Sequence, residues 1–197
     1  MLESNLTIAI AVGRPCSFGR VTTRMLVVCT ANVCRSPMAA ALLAHRCDEL
    51  GVKVSVSSAG VQAHQLPVDP DAVAVLAEHG LDISAHQPRP LDRAMLEDAD
   101  LVITMTRDHL RTVATTIPGV FRRAFTAREL ARKLTRHEHL DLDVLNEGRS
   151  PRDLMGNDAA DDIADPYGKS LQLHRLCAEE IDEAMRTIAH ALVGAHT

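Results

Sequence analysis

Residues 25–28 are apolar and strand-like, residues 38–44 are helix-like, and one short run joins them: Cys29-Thr30-Ala31-Asn32-Val33-Cys34-Arg35-Ser36-Pro37. A strand that passes into a helix over so few residues is the opening of a βα unit. Its loop turns backbone N–H groups inward and ends at the positively polarised terminus of a helix. That arrangement cradles a doubly charged oxyanion, and the same field suits Cys29 to act as a nucleophilic thiolate. Ser36 is a candidate N-cap and Pro37 a favourable first helical residue. Arg35 offers a planar fork for two phosphate oxygens. Asn32 is one of the few non-glycine residues that tolerate a left-handed backbone. The plain alternative is a buried structural cysteine and a surface arginine that happen to lie six positions apart. The strand before, the helix after, and the Asn and Ser-Pro within all argue against it.

Further along, strand-like and helix-like segments alternate, which predicts an α/β chain with a parallel sheet. Helices are expected over 37–50, ended by Gly51, and from Asp69-Pro70 to Gly80 with Val73, Leu76 and Ala77 inward. Others are expected near 91–97, over 107–115 and, as a long amphipathic helix, over 170–193. The stripe of that last helix is Leu173, Leu176, Cys177, Ile181, Ala184, Met185 and Ile188. Strands are expected at 25–28, 52–57 and 101–105, with a possible fourth at 120–124.

The 197 residues suit one domain, taken as 25–197, with an acidic surface insertion near 138–158. Residues 1–24 read as a poorly ordered extension, as a stretch upstream of a start at Met25, or as a strand over 6–12 docked on the sheet edge. With no Trp, one Tyr and three Phe, the core must be aliphatic. A net charge of -5 argues against nucleic acid or a membrane surface as partner. No apolar run is long enough to span a bilayer. The five cysteines (Cys16, Cys29, Cys34, Cys47, Cys177) are odd in number and irregularly spaced, which fits a reducing cytoplasm rather than a disulfide framework. No zinc-like spacing of Cys or His occurs, so no metal and no cofactor is expected.

Taken together, the loop residues resemble the signature of the low-molecular-weight protein tyrosine phosphatase family, Cys-x-Gly-Asn-x-Cys-Arg-Ser. Ala31 stands where that family usually has Gly. If the position needs a positive φ, alanine costs about 1 kcal/mol; if not, the exchange is nearly silent. Ser58-Ala59-Gly60, Ser84-x-His86, Arg89 and the segment 99–110 extend the resemblance over most of the chain. It implies a four-stranded parallel sheet flanked by helices on both faces, a flavodoxin-like three-layer fold, with the site at the carboxyl ends of the strands.

A cysteine nucleophile needs an acid to protonate the leaving oxygen. Asp165-Pro166-Tyr167 is similar to the motif in which the family carries that acid, although alone it is an ordinary turn before a helix. The resemblance therefore implies a two-step phosphatase. Cys29 attacks phosphorus, Thr30, Ala31, Asn32, Val33, Cys34 and Arg35 hold the phosphate, and Asp165 acts as acid and then base. Ser36 assists the sulfur, and Asn32, Ser58 and His86 brace the loop. Cys34 matches a family cysteine that forms a reversible disulfide with the nucleophile; packing alone is the alternative.

Tyr167, His64 and Val33 are the expected substrate-pocket residues. A β-branched apolar residue at Val33 fits tyrosine phosphatases, whereas arginine-phosphatase relatives carry Thr there. The implied partner is a phosphotyrosine protein, possibly a tyrosine kinase. Arsenate reductases of the same fold add two mid-chain cysteines, and none occurs between Cys47 and Cys177. A phosphoarginine phosphatase and a non-catalytic phosphate-binding module are the other readings.

Overall fold

The computed structural model describes residues 23–62, 66–137, 140–155 and 159–193. Most of the 1–24 extension and His64 fall outside them. Strand β1 (Arg24–Cys29) is buried at every position after Arg24. It is central because it pairs in parallel with β2 (Ser55–Gly60) on one side and β3 (Leu101–Thr104) on the other. The short β4 (Ala124–Thr126) completes a parallel sheet of order β2-β1-β3-β4.

Alternate side chains of β1 feed two cores. Met25 and Val27 face α1 (Arg35–Glu49), α2 (Pro70–Glu78), α5 (Ala127–Leu134) and α7 (Leu171–Val193), where Leu42, Leu76, Leu130 and Ile181 pack. Leu26 and Val28 face α3 (Arg93–Asp98) and α4 (Arg107–Thr116), meeting Leu96, Leu110 and Val113. The result is the expected three-layer parallel α/β fold. The core is aliphatic, with Phe125 its one fully buried large aromatic among the described residues. No described helix is long and apolar enough to cross a membrane.

Several local expectations shift. Helix α1 begins at Arg35, with Cys34 as N-cap, so Ser36 and Pro37 lie inside its first turn and Ser36 is free for other work. Asp69 does cap α2, accepting from Asp71 N and Ala72 N, but the buried residues there are Ala72, Val75 and Leu76 rather than Val73 and Ala77. Residues 118–123 wind into a 3₁₀ turn begun by Pro118, whose fixed φ favours that entry, so the fourth strand starts later. On α7, His174 takes the inward position of the first turn, and Leu173 and Leu176 are about half exposed.

The acidic segment is not a detached surface loop over 140–155. Leu140, Leu145 and Leu154 are buried, and α6 (Leu142–Leu145) carries the second of them. The Arg149 guanidinium lies 4.4 Å from the Phe121 ring centre and 3.9 Å from that of Phe125. Its Nε donates to Glu129 at 2.7 Å. A planar cation between two rings, paired with a largely buried carboxylate, pins this segment to β4 and α5.

Candidate active site

In this sheet order the chains leaving β1 and β3 depart to opposite faces, which opens a crevice at their carboxyl ends. The loop 30–34 occupies it. Asn32 is the only described non-glycine residue with positive φ, at 60°. Ala31 is not left-handed, so its exchange for glycine carries no backbone strain.

Asn32 holds the loop through both ends of its amide. Its Nδ2 donates to Ser36 Oγ and to Ser58 Oγ, each at 2.9 Å, and its Oδ1 accepts from Arg89 N at 3.0 Å. Nε2–H of His86 donates to the Asn32 carbonyl at 3.0 Å, since a carbonyl can only accept. Burial holds His86 below the usual histidine range. Ser58 and His86 thus both hydrogen-bond to Asn32. Arg89 joins them, donating from Nε to Ser58 O at 2.9 Å.

Cys29 Sγ is buried and receives the Asn32 N–H at 3.3 Å. Ser36 Oγ lies 3.0 Å from the sulfur. Because that oxygen already accepts from Asn32, its own proton is free to point at the sulfur or at Ala59 O, 3.4 Å away. No side chain caps α1, and no acidic residue stands in its first turn. Its leading N–H groups therefore face the loop as donors for an anion.

Arg35 is 4% exposed and spans the crevice. It donates from Nη1 to Ile163 O at 3.1 Å, from Nη2 to Thr30 Oγ1 at 3.1 Å, and pairs with Asp165. Asp165 thus comes to the Cys29 loop from far along the chain, with its other oxygen accepting from Tyr167 N at 3.2 Å.

One partner was not legible in the sequence as a site residue. His109, on α4, contacts Thr30 Oγ1 through Nε2 and Thr106 Oγ1 through Nδ1, both at 2.9 Å. Burial, and then the Arg35 guanidinium, push its pKa down to about 4. It is therefore neutral at pH 7 and both donates and accepts. One ring nitrogen donates and the other accepts, so the ring joins the Thr30 and Thr106 hydroxyls. The chain Arg35–Thr30–His109–Thr106 ties β1's loop to β3's helix across the crevice. Only the Asp108-His109-Leu110 pattern hinted at it.

A cleft of about 300 Å³ opens beside this chain, lined among others by Thr30, Arg35, Gln62, Asp108 and His109. Tyr167 is 52% exposed and is not part of its lining. Val33 is 3% exposed and belongs to the apolar core, so it shapes the loop from within rather than walling an open pocket. Cys34 is also buried, and that burial, with Cys177 nearby, pushes its thiol far above the ordinary range. Cys177 is pushed up to about 12, chiefly by burial. Both thiols are held protonated.

Known proteins share this layout. A family model of low molecular weight phosphotyrosine protein phosphatases matches residues 24–148. A protein-arginine-phosphatase of Bacillus subtilis (strain 168) is 30% identical over 169 residues, 85% of this chain and 95% of that protein. The low molecular weight protein-tyrosine-phosphatase Wzb of Escherichia coli (strain K12) is 30% identical over 169 residues, 85% and 94%. The crystal structure of a low molecular weight protein tyrosine phosphatase from T. tengcongensis superposes with a TM-score of 0.67 at 32% identity, covering 84% of this chain and 97% of that one. With the family model spanning more than half of its length and relatives matched over more than four fifths of it, this chain belongs to the low molecular weight phosphotyrosine protein phosphatase family.

Proposed function

We propose that the chain is a protein tyrosine phosphatase that works through a phosphocysteine. The observation that carries this is the meeting of Cys29, Arg35 and Asp165 at one loop, although the acid lies 130 positions beyond the arginine. In the first step Cys29 sulfur attacks phosphorus in line, forming S–P as the ester P–O bond breaks. Arg35 exchanges its contact with Asp165 for phosphate oxygens, beside the loop N–H groups. Asp165 gives its proton to the departing oxygen. In the second step Asp165 takes a proton from water, the water oxygen bonds to phosphorus, and the S–P bond breaks to release phosphate. The Ser36 hydroxyl, 3.0 Å from the sulfur, stabilises the leaving thiolate. None of these steps calls on a cofactor.

Phosphotyrosine is favoured over other phosphoresidues by Val33, an apolar β-branched loop residue of the kind that the resemblance implies for tyrosine phosphatases. A phosphoarginine phosphatase is the second reading, because the Bacillus subtilis relative carries that name. A tyrosine kinase is a candidate substrate protein. The free buried cysteines among the described residues fit a reducing, cytoplasmic setting.

The test is hydrolysis of matched phosphotyrosine and phosphoarginine peptides, with p-nitrophenyl phosphate as a general probe. Turnover blocked by vanadate and abolished in Cys29→Ser is expected, with the phosphotyrosine peptide preferred. Preference for phosphoarginine would move the chain to the second reading, and no turnover from mildly acidic to neutral pH would leave a binding module. Asp165→Ala, which keeps the nucleophile, is the variant for trapping the substrate protein from lysate.

A further inference from the structure

Behind the phosphate loop, the starts of α2 and α7 meet at a cluster to which the phosphatase chemistry gives no role. Asp69, Asp71 and His174 each bring one potential ligand atom, and these atoms lie within 4.8 Å of one another. His174 is 1% exposed, and its Nε2 is buried without a hydrogen-bond partner. Its other nitrogen, Nδ1, lies 3.1 Å from the Ser170 carbonyl oxygen. A carbonyl has no proton to give, so Nδ1 carries a hydrogen, and in the neutral ring Nε2 is left with a bare lone pair. Asp69 Oδ1 stands 3.3 Å from that nitrogen, out of line for a hydrogen bond. Two electron-rich atoms this close in a buried place repel unless something positive lies against both.

We propose that Asp69, Asp71 and His174 form a binding site for a divalent transition-metal ion of the zinc class. The 3.3 Å between His174 Nε2 and Asp69 Oδ1 fits, since two ligands each about 2.1 Å from a tetrahedral ion stand about 3.4 Å apart, and the Asp71 carboxylate lies 3.9 Å from the same ring at Nδ1. The tautomer fits, because a ligating imidazole characteristically donates its other N–H to a backbone carbonyl. The charge fits, because two carboxylates and a neutral imidazole balance a divalent cation. The donor set of one nitrogen and two oxygens favours zinc over magnesium or calcium. There is also a way in, since the Asp71 side chain is 44% exposed while Asp69 is 8% exposed. Helix capping explains Asp69 alone: its Oδ1 takes the N–H groups of Asp71 and Ala72 at 2.9 and 3.1 Å. Capping accounts for neither the orphaned nitrogen nor Asp71. Residue spacing concealed the site because its ligands come from two helices a hundred positions apart.

An ion there bears on the loop in front of it. The Asp69 N–H donates to Val33 O at 2.8 Å, and His174 stands in the first turn of the helix that follows Asp165. Holding Asp69 to His174 fastens the nucleophile's loop to the segment that carries the acid.

The test uses the full chain, stripped with chelator and titrated with Zn²⁺ against a chromophoric competitor, then with Co²⁺ as a spectroscopic probe. It needs no substrate turnover, so its failure is separate from failure of the phosphatase reading. A single bound ion is expected, with visible cobalt bands but no sulfur-to-cobalt charge-transfer band. Asp71→Asn and His174→Gln should each weaken binding at least about tenfold. Zn²⁺ should also raise the melting midpoint of the parent chain and leave that of Asp71→Asn unmoved. A sulfur-to-cobalt band would assign the ion to the loop cysteines and overturn the proposal. So would unchanged affinity in both variants, or no binding at millimolar ion, which would leave a proton as the positive charge between His174 and Asp69. Should His174→Gln fail to fold, Asp71→Asn, altered at a half-exposed side chain, still decides the matter.

Discussion

Gly60 lies directly beneath the backbone of Asn32: a Cβ on Gly60 would stand 2.8 Å from the Asn32 nitrogen and 2.7 Å from the Thr30 carbonyl oxygen. Backbone cannot swing aside as the tip of a side chain does, so the last residue of β2 sets the height of the phosphate loop. Gly60→Ala should lift the loop while leaving the sheet intact. A displacement approaching 1 Å at a reacting centre costs about 100-fold in rate. The expected outcome is a comparable fall in kcat/KM on p-nitrophenyl phosphate with an unchanged circular dichroism spectrum. Full activity in this variant would show that the loop has room to give.

Asn32 does two separable jobs, supplying a left-handed backbone and bracing the loop by hydrogen bonds. Asn32→Gly keeps the backbone freedom and loses the amide, whereas Asn32→Ala loses both. Stranding the buried Ser58 hydroxyl and Arg89 N–H costs about 1–3 kcal/mol, and forcing alanine into a left-handed conformation adds about 1 kcal/mol. Urea denaturation should therefore rank stability as parent, then Asn32→Gly, then Asn32→Ala. Activity should fall in both variants.

His109 makes stability depend on pH. A histidine titrates near 6.5 in the unfolded chain and His109 at about 4 in the folded one. Between those values the unfolded chain binds a proton that the folded chain refuses. Stability is then full above pH 6.5 and drains away as pH falls toward 4, by up to about 3 kcal/mol. The steepness of the chemical-denaturation profile over that window should lessen in His109→Gln. An identical profile in the variant would clear His109 of the effect. His86, also held below its usual range by burial, adds a smaller slope of the same sign.

Arg149 should matter to stability and not to turnover. Arg149→Met removes the charge between Phe121 and Phe125 and leaves the largely buried Glu129 without its partner. Breaking a buried pair from one side costs about 3–5 kcal/mol. The urea midpoint should drop accordingly, while kcat/KM at a temperature where the variant is folded stays within a factor of about two. A large loss of activity in the folded variant would mean that the 140–155 segment communicates with the site.

Much of this was written in local sequence. The strand, loop and helix around Cys29 follow from apolar runs and turn residues alone, and Asp69-Pro70 marks the start of α2 correctly. What the sequence hid depends on approach between distant segments. Nothing near His109 says that its ring meets Thr30, 79 positions away, because the contact arises only once β1 and β3 lie side by side. Leu173 and Leu176 looked inward because leucine is apolar. The helix instead turns a polar residue, His174, to the interior, a choice made by the carboxylates waiting on α2. The acidity of the 138–158 stretch suggested a surface loop, yet two phenylalanine faces and one glutamate are enough to dock Arg149 and draw the leucines in behind it.

The contact of Arg35 with the Ile163 carbonyl, and that of the Ile163 N–H with Met105 O at 2.9 Å, have a consequence for the order of events in a cell. A ribosome delivers Cys29, the proposed nucleophile, early and Asp165, the proposed acid, late. Until residues 163–165 emerge and settle against the end of β3, a nascent chain carries a thiol and an arginine but no proton donor beside them. On the proposed mechanism dephosphorylation therefore waits on the docking of residues 163–165 and of the helix that follows them, whose Ile181, Met185 and Ile188 share the core with β1 and α1.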